Sequence, residues 1–294
     1  MSIVIPDQAA GLRRMFSRGL VRTVTVTSGN AESGRSSVVA DLAVALARRG
    51  QNACVGEQGD SSQGAAARLG LTLRHDLADF IRRDRRIEDI LLHGPEGVRF
   101  FGAAWAGRLL GMLPQDEETR LTDALSRLDP PVDFLLLDSP APARDDVAPW
   151  AAASSEIVVV VSAAADGITD AYGLIKRLSQ AIARRRFHAV VTRAGDEDHA
   201  RTVHANLAAT AERFLGVTVA WLGWMPPDPD MSKALRLHQA VSCAFPMSRS
   251  AAAIGAVADT LLTWPYAGED GLDGFVHRLV QASRTSLSAN VRAN

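Results

Sequence analysis

The 294-residue sequence predicts an α/β fold, a mostly parallel sheet sandwiched by helices. Three observations predict it. Short β-branched or apolar runs that read as strands buried on both faces recur along the chain, at residues 21–27, 132–138, 157–161, 187–191 and 217–224 among others. Segments with apolar residues at helical spacing separate them, the alternation expected of βαβ units. The first run passes through a Gly/Ser-rich turn straight into such a helix, where backbone N–H groups and the helix dipole favour an anion.

Taken in order, residues 21–27, V-R-T-V-T-V-T, form the first strand. Residues 36–49, S-S-V-V-A-D-L-A-V-A-L-A-R-R, form a helix that stops at Gly50. The turn between them, residues 28–37, reads S-G-N-A-E-S-G-R-S-S. An intact phosphate loop reads G-x-x-x-x-G-K-[ST], with Lys on the β/γ-phosphates and Ser or Thr on Mg²⁺. Gly29, Gly34 and Ser36 keep that frame, and Arg35 stands at the lysine position. A guanidinium keeps the charge, but it is bulkier than an ammonium and not equivalent at a site shaped for a point charge. A Gly/Ser-rich strand-to-helix turn also occurs in α/β domains that bind no nucleotide, so the neighbouring segments decide the reading.

Residues 52–60, N-A-C-V-G-E-Q-G-D, and 132–142, V-D-F-L-L-L-D-S-P-A-P, read as the next strands with carboxylates at their C-terminal ends. Residues 157–161 form a buried strand, followed by a helix over 168–178, I-T-D-A-Y-G-L-I-K-R-L, that Thr169 and Asp170 can cap. Two further strands, 187–191 and 217–224, lead to a turn-rich loop, M-P-P-D-P-D, at 225–230.

This order of segments, from about Asp7 to Leu262, resembles the MinD/ParA group of P-loop ATPases with a deviant Walker motif, and most closely its FlhG/FleN (YlxH) branch of flagellar number regulators. In that family the loop reads K-G-G-x-G-K-T. The resemblance implies a nucleotide-binding set of Gly29, Asn30, Ala31, Glu32, Ser33, Gly34, Arg35, Ser36, Ser37 and Thr192, with Ser36 and Asp138 on Mg²⁺ and ATP as the nucleotide. Against it, Asn30 stands at the dimer-bridging signature lysine, Ala31 and Glu32 replace two glycines, and Arg35 replaces the second lysine. Glu57 and Gly59 fall on the two aspartates of the family D-x-D, with Asp60 one residue out of register. Asp138, the Walker B position, is retained, whereas the glycine after it is Pro142, which has no N–H to offer a phosphate. A family asparagine at the base is Thr192, and the 225–230 loop is where the family contacts the adenine.

A carboxylate at Glu32 facing inward, about 4 Å from a phosphate charge, would cost roughly 4 kcal/mol at an effective dielectric of about 20. Phosphoryl transfer depends on positioning and electrostatics, so losing both lysines and the water-orienting carboxylate predicts weak or absent ATP hydrolysis. Surviving Gly29, Gly34, Ser36 and Asp138 leave nucleotide binding open.

The N-terminal arm, by contrast, is intact. Residues 7–13, D-Q-A-A-G-L-R, match the D-Q-A-x-x-L-R motif with which FlhG proteins stimulate the SRP-type GTPase FlhF. Asp7 can cap a short helix after Pro6, placing Leu12, Met15 and Phe16 on one face. The resemblance implies that Asp7, Gln8, Ala9, Leu12 and Arg13 meet the partner, with Gln8 acting in trans on its GTP site and Arg13 anchoring the arm. Beyond an FlhF-type GTPase, it implies flagellar basal-body or transcriptional regulators and a homodimer as partners.

The expected organisation is therefore an activator arm over 1–19, a MinD-like domain over 20–264, and an amphipathic helix and tail over 265–294. In the last, Leu272, Phe275, Val276, Leu279 and Val280 make an i, i+3, i+4, i+7, i+8 stripe resembling the membrane-targeting helix of MinD-like proteins. With few basic residues it would bind a bilayer only weakly; the alternative is that it packs back on the domain. Residues 286–294 are expected to be disordered.

The net charge of −1 gives no bulk pull toward nucleic acid or anionic lipid, and the arginine run at 82–86 reads as a solvated helix end. Two cysteines, Cys54 and Cys243, and no signal or spanning segment point to a cytoplasmic setting, with any membrane contact peripheral at the inner face of the plasma membrane. His93, His188, His199 and His204 show no metal spacing. The function expected is control of flagellar number or placement through the arm, by a chain whose own ATPase site is degenerate. Two alternatives stand beside it: a working MinD-like ATPase that switches between monomer and membrane-bound dimer, and a scaffold for another polar machine.

Overall fold

The computed structural model describes residues 21–59, 62–141, 148–264 and 271–293. The activator arm, Asp60 and Pro142 lie outside the described residues.

The first half of the chain runs β1 (Arg22–Ser28), a 3-10 turn (Ala31–Ser33), α1 (Arg35–Ala47), β2 (Ala53–Glu57), α2 (Ala65–Arg68), α3 (Leu77–Ile81), α4 (Ile87–Ile90), β3 (Leu92–His93), β4 (Arg99–Gly102), α5 (Ala106–Gly111), α6 (Gln115–Ser126) and β5 (Phe134–Asp138). The second half runs α7 (Pro149–Ala153), β6 (Glu156–Ser162), α8 (Gly167–Ala181), β7 (Arg186–Thr192), α9 (Glu197–Leu215), β8 (Thr218–Met225), α10 (Pro229–Arg236), α11 (Val241–Ala244), α12 (Arg249–Thr263) and α13 (Gly271–Ala293).

The strands form one sheet in the order β3-β4-β2-β5-β1-β6-β7-β8, antiparallel only between β3 and β4. From β1 the chain winds first toward β3 and later toward β8, so the ends of β1, β5 and β6 meet where the winding reverses, the place at which such sheets bind ligands. Alternation along the strands sets the two layers. Val24, Val26, Leu136, Val158 and Val160 pack on the side of α1 and α12, while Leu135, Leu137, Val159 and Val161 face the other helices. Two of the three buried threonines of β1 are satisfied by Ser154 and Ser155: Thr25 Oγ1 and Ser154 Oγ are 2.8 Å apart, and Thr23 bonds Ser155 Oγ at 3.2 Å, while the Thr27 hydroxyl has no partner among the described residues.

The C-terminal stripe is buried. Leu272, Phe275, Val276, Leu279 and Val280 are each at most 7 % exposed, packed with Leu110, Leu121 and Trp150. Polar residues on the same helix reinforce the seat: Arg278 Nε donates to Ala153 O at 3.0 Å, Arg284 Nη2 to Leu113 O at 2.8 Å, and His277 Nδ1 lies 2.8 Å from Glu118 Oε1. At Gly111 a Cβ would lie 2.8 Å from the carbonyl oxygen of Ser283, so the two helices cross at backbone distance. The stripe therefore faces the core rather than a bilayer, because its apolar partners are already supplied by α5, α6 and α7. Nor do residues 286–293 form an irregular tail: α13 continues to Ala293. Among the described residues no helix is long and apolar enough to cross a membrane.

Residues 82–86 are exposed, His188 is buried against Glu156 at 3.0 Å with its ring stacked on Trp264, and Trp221 packs edge-on to His204.

Candidate functional site: an altered phosphate loop

The loop leaves β1 at Ser28 and is closed by its own bonds. Ser28 Oγ donates to Asn30 O at 2.7 Å and Ser33 Oγ donates to the same oxygen at 3.2 Å. Gly34, at φ +83°, reverses the chain into α1, a conformation that costs glycine little. Gly29 is required for a different reason: a Cβ there would lie 2.4 Å from the carbonyl of Asp170. This close approach seats the loop on the first turn of α8, and Asn30 Nδ2 donates to Asp170 Oδ2 at 2.6 Å. Asp170 is therefore a partner of the loop rather than a helix cap, and the residue at the family's bridging lysine is turned inward to it.

Ala31 and Glu32 lie on the exposed side of the 3-10 turn. Glu32 thus does not face the phosphate position, and the desolvated repulsion expected from an inward carboxylate does not arise. Ser33 is buried, and its carbonyl accepts from Thr192 Oγ1 at 2.8 Å. Thr192, the residue expected near the base, ties β7 to the loop. Ser37 is half-buried in the first turn of α1, beside the buried Ser36.

Arg35 bends across the mouth of the loop onto the end of β5. Its Nε donates to Asp138 Oδ1 at 2.5 Å, and Nη2 reaches Ser36 Oγ at 3.3 Å. The second oxygen of Asp138 accepts from Ala65 N–H at 3.1 Å. Beside it, in register on β2, Glu57 Oε1 accepts from Ala66 N–H at 2.5 Å. Both carboxylates thus cap the N-terminus of α2. Glu57 Oε2 has no partner, and Gly64 is tolerated there only without a side chain, since a Cβ would lie 2.2 Å from that oxygen. Burial pushes the Glu57 carboxyl up to about 7; the Ala66 N–H opposes this, the Asp138 charge adds to it, and Arg35 opposes it. Gly59, at the water-orienting position, brings no carboxylate; it lies against Pro140. In the 225–230 loop, Asp228 caps α10 through Asp230 N–H at 2.9 Å and accepts from Ser250 N–H at 2.8 Å.

The donor set does not fit Mg²⁺-ATP as arranged. The two oxygens of Asp138 are bound by Arg35 and Ala65, the Ser36 hydroxyl faces the same guanidinium, and Asn30 is held by Asp170. Asp138 and Asp170 each hold one of the loop's donors, Arg35 and Asn30, so those donors are turned to carboxylates rather than to a phosphate. Sequence reasoning missed Asp170 and the Ala65 and Ala66 amides. Only the glycine at position 29 hinted that another backbone comes close.

The fold and the position of this loop are those of the MinD/ParA ATPases. The cell-division protein MinD of Aquifex aeolicus superposes with a TM-score of 0.64 over 83 % of this chain and 98 % of its own, at 17 % identity. MinD of Pyrococcus horikoshii, solved with Mg-ADP, gives 0.59 over 83 % and 96 %, at 19 % identity. No protein-family model matches the chain. In sequence, the antiactivator FleN of Pseudomonas aeruginosa is 33 % identical over 276 residues, 93 % of this chain and 99 % of the relative. The chain belongs to the FlhG/FleN family of MinD/ParA ATPases.

Proposed function

We propose that the chain controls flagellar number or placement by stimulating an FlhF-type GTPase through its N-terminal arm, while its own nucleotide site performs little or no ATP hydrolysis. The relationship to FleN along nearly the whole chain is the observation that carries this reading. The arm motif at Asp7, Gln8, Ala9, Leu12 and Arg13 supports the GTPase partner, and the engagement of Arg35 with Asp138 supports a site that does not turn over. Because that relative is named an antiactivator, a transcriptional activator is the second partner proposed. Gln8 supplies the side chain that orients the attacking water in the partner's site, and Arg13 anchors the arm.

The test is GTP hydrolysis by an FlhF-type GTPase in the presence of the full chain. Gln8→Ala and deletion of residues 1–19 should each abolish stimulation while leaving the circular-dichroism spectrum and melting temperature unchanged. Equal stimulation by wild type and both variants would sink the proposal.

A further inference from the structure

The guanidinium of Arg35 lies between the two side chains that the family resemblance assigns to magnesium, 2.5 Å from Asp138 Oδ1 and 3.3 Å from Ser36 Oγ. Asp138 is only 1 % exposed, and a carboxylate so far withdrawn from water needs a counter-charge beside it. In an Mg²⁺-dependent site that charge arrives with the metal and leaves with it. Here it is covalently part of the chain. Its Nε–H can point along the carboxylate while the rest of the fork reaches the hydroxyl, a two-point contact that an ammonium, as a point charge, does not make in the same way.

The rest of the loop is consistent with a cation that never departs. The loop and its flanks are joined with no ligand: the start of α1 to β5 through Arg35 and Asp138, β7 to the loop through Thr192 and Ser33, and α8 to the loop through Asn30 and Asp170. The N-terminus of α2 is fixed by the same Asp138 through Ala65. Removal of Arg35 would leave Asp138 buried with one backbone donor and no cation.

We propose that Arg35 is a tethered cation that takes the place of Mg²⁺ at Asp138, so that the chain itself, rather than metal and nucleotide, holds the loop in a single state. This rests on the reading of the nucleotide site as degenerate and says what has replaced the switch: a permanent internal ion pair. The chain is indifferent to Mg²⁺ because its metal position is filled from within.

The experiment is thermal melting of the full chain with and without millimolar MgCl₂, at ionic strength matched with NaCl and without nucleotide. Wild type should not respond. Arg35→Ala should melt about 5–10 °C lower and regain a substantial part of that loss in Mg²⁺ but not in NaCl, because the metal can now enter beside Asp138. Arg35→Ala/Asp138→Asn, with neither charge, should be indifferent to Mg²⁺ again. Where Arg35→Ala does not fold, Arg35→Gln, whose amide still reaches Asp138 but carries no charge, is read in the same way. A Mg²⁺ shift in wild type equal to that of the variant, or none in either single variant, would overturn the inference. The arm assay reads partner hydrolysis and an ATP titration reads nucleotide binding, so a failure of this inference is distinguishable from a failure of the degenerate-site reading.

Discussion

At position 35 arginine and lysine differ in shape more than in charge. A lysine at the helix N-terminus can project into the loop toward phosphate, whereas the fork of Arg35 meets the Asp138 carboxylate at the end of β5 and the hydroxyl of its own neighbour, Ser36. That one side chain joins the start of α1 to the end of β5, 103 residues further along the chain. Asp41, one and a half turns further along the same helix, illustrates a different burden. It is buried and its carboxylate accepts from Val241 N–H at 2.7 Å; burial outweighs that bond and pushes its pKa up to about 7. The folded state therefore holds the Asp41 proton more tightly than the unfolded chain, whose value is near 3.8. Stability contributed by the protonated acid is present at low pH and is lost as the pH rises between those two values. Asp41→Asn keeps an acceptor for Val241 and removes the charge. It should raise stability by roughly 2–4 kcal/mol at pH 8 and change little at pH 4. Urea melts of both proteins across that range check the sign, and a variant uniformly less stable at every pH would show that the charge is compensated.

At the scale of elements, α13 is the clearest departure from what amphipathicity alone suggests. A stripe of apolar residues opposed by arginine and histidine fits a bilayer surface and a protein groove equally well, since both ask only for one apolar face. In the fold the groove between α5, α6 and α7 is lined by Leu110, Leu121 and Trp150, and Phe275 lies 6.2 Å from the Trp150 ring centroid. Arg278 and Arg184 both reach carbonyls at the C-terminal end of α7, where a cation is favoured. The helix thus contributes to stability as a core element. Phe275→Ala should destabilise the chain by about 3–5 kcal/mol, read as a lower urea midpoint. An unchanged midpoint would mean that α13 detaches without cost. Short α2 shows the reverse case: its four residues, Ala-Ala-Ala-Arg, favour helix but are too few to nucleate one alone, and they are held because Glu57 and Asp138 cap the free amides.

For the whole molecule, the proposed degenerate site carries a consequence: a loop closed by its own bonds would lack a ligand-dependent transition. A ligand shifts an equilibrium only by its differential affinity for the two states. Here the positions that would read metal and phosphate are bound to Arg35, Ala65 and Asp170. Titration of the full chain with a fluorescent ATP analogue and Mg²⁺, followed by mass in solution, should give no saturable binding and one unchanging mass. Micromolar binding accompanied by a doubled mass would establish a functioning family switch and overturn the degenerate-site reading.

Sequence by itself determined the mostly parallel α/β class, the position of the phosphate loop, the loss of both family lysines and the family to which the chain belongs. Those features are local: a β-branched run, a Gly-Ser turn and an apolar helix state their own conformation, and each replaced residue sits in a motif of known spacing. The expected strands at 21–27 and 132–138 lie within a residue or two of β1 and β5, and the helix stop at Gly50 coincides with its φ of +78°. Only the tertiary structure decided where the side chains spend their hydrogen bonds. It turned Glu32 outward, gave Asn30 to Asp170 and Thr192 to Ser33, set Glu57 to cap α2, and seated α13 in the core. Apart from Glu32, which faces solvent, each of those choices depends on a partner at least nine residues away in the chain and often more than a hundred. The geometry of the sheet brings such partners together, and no local pattern records them.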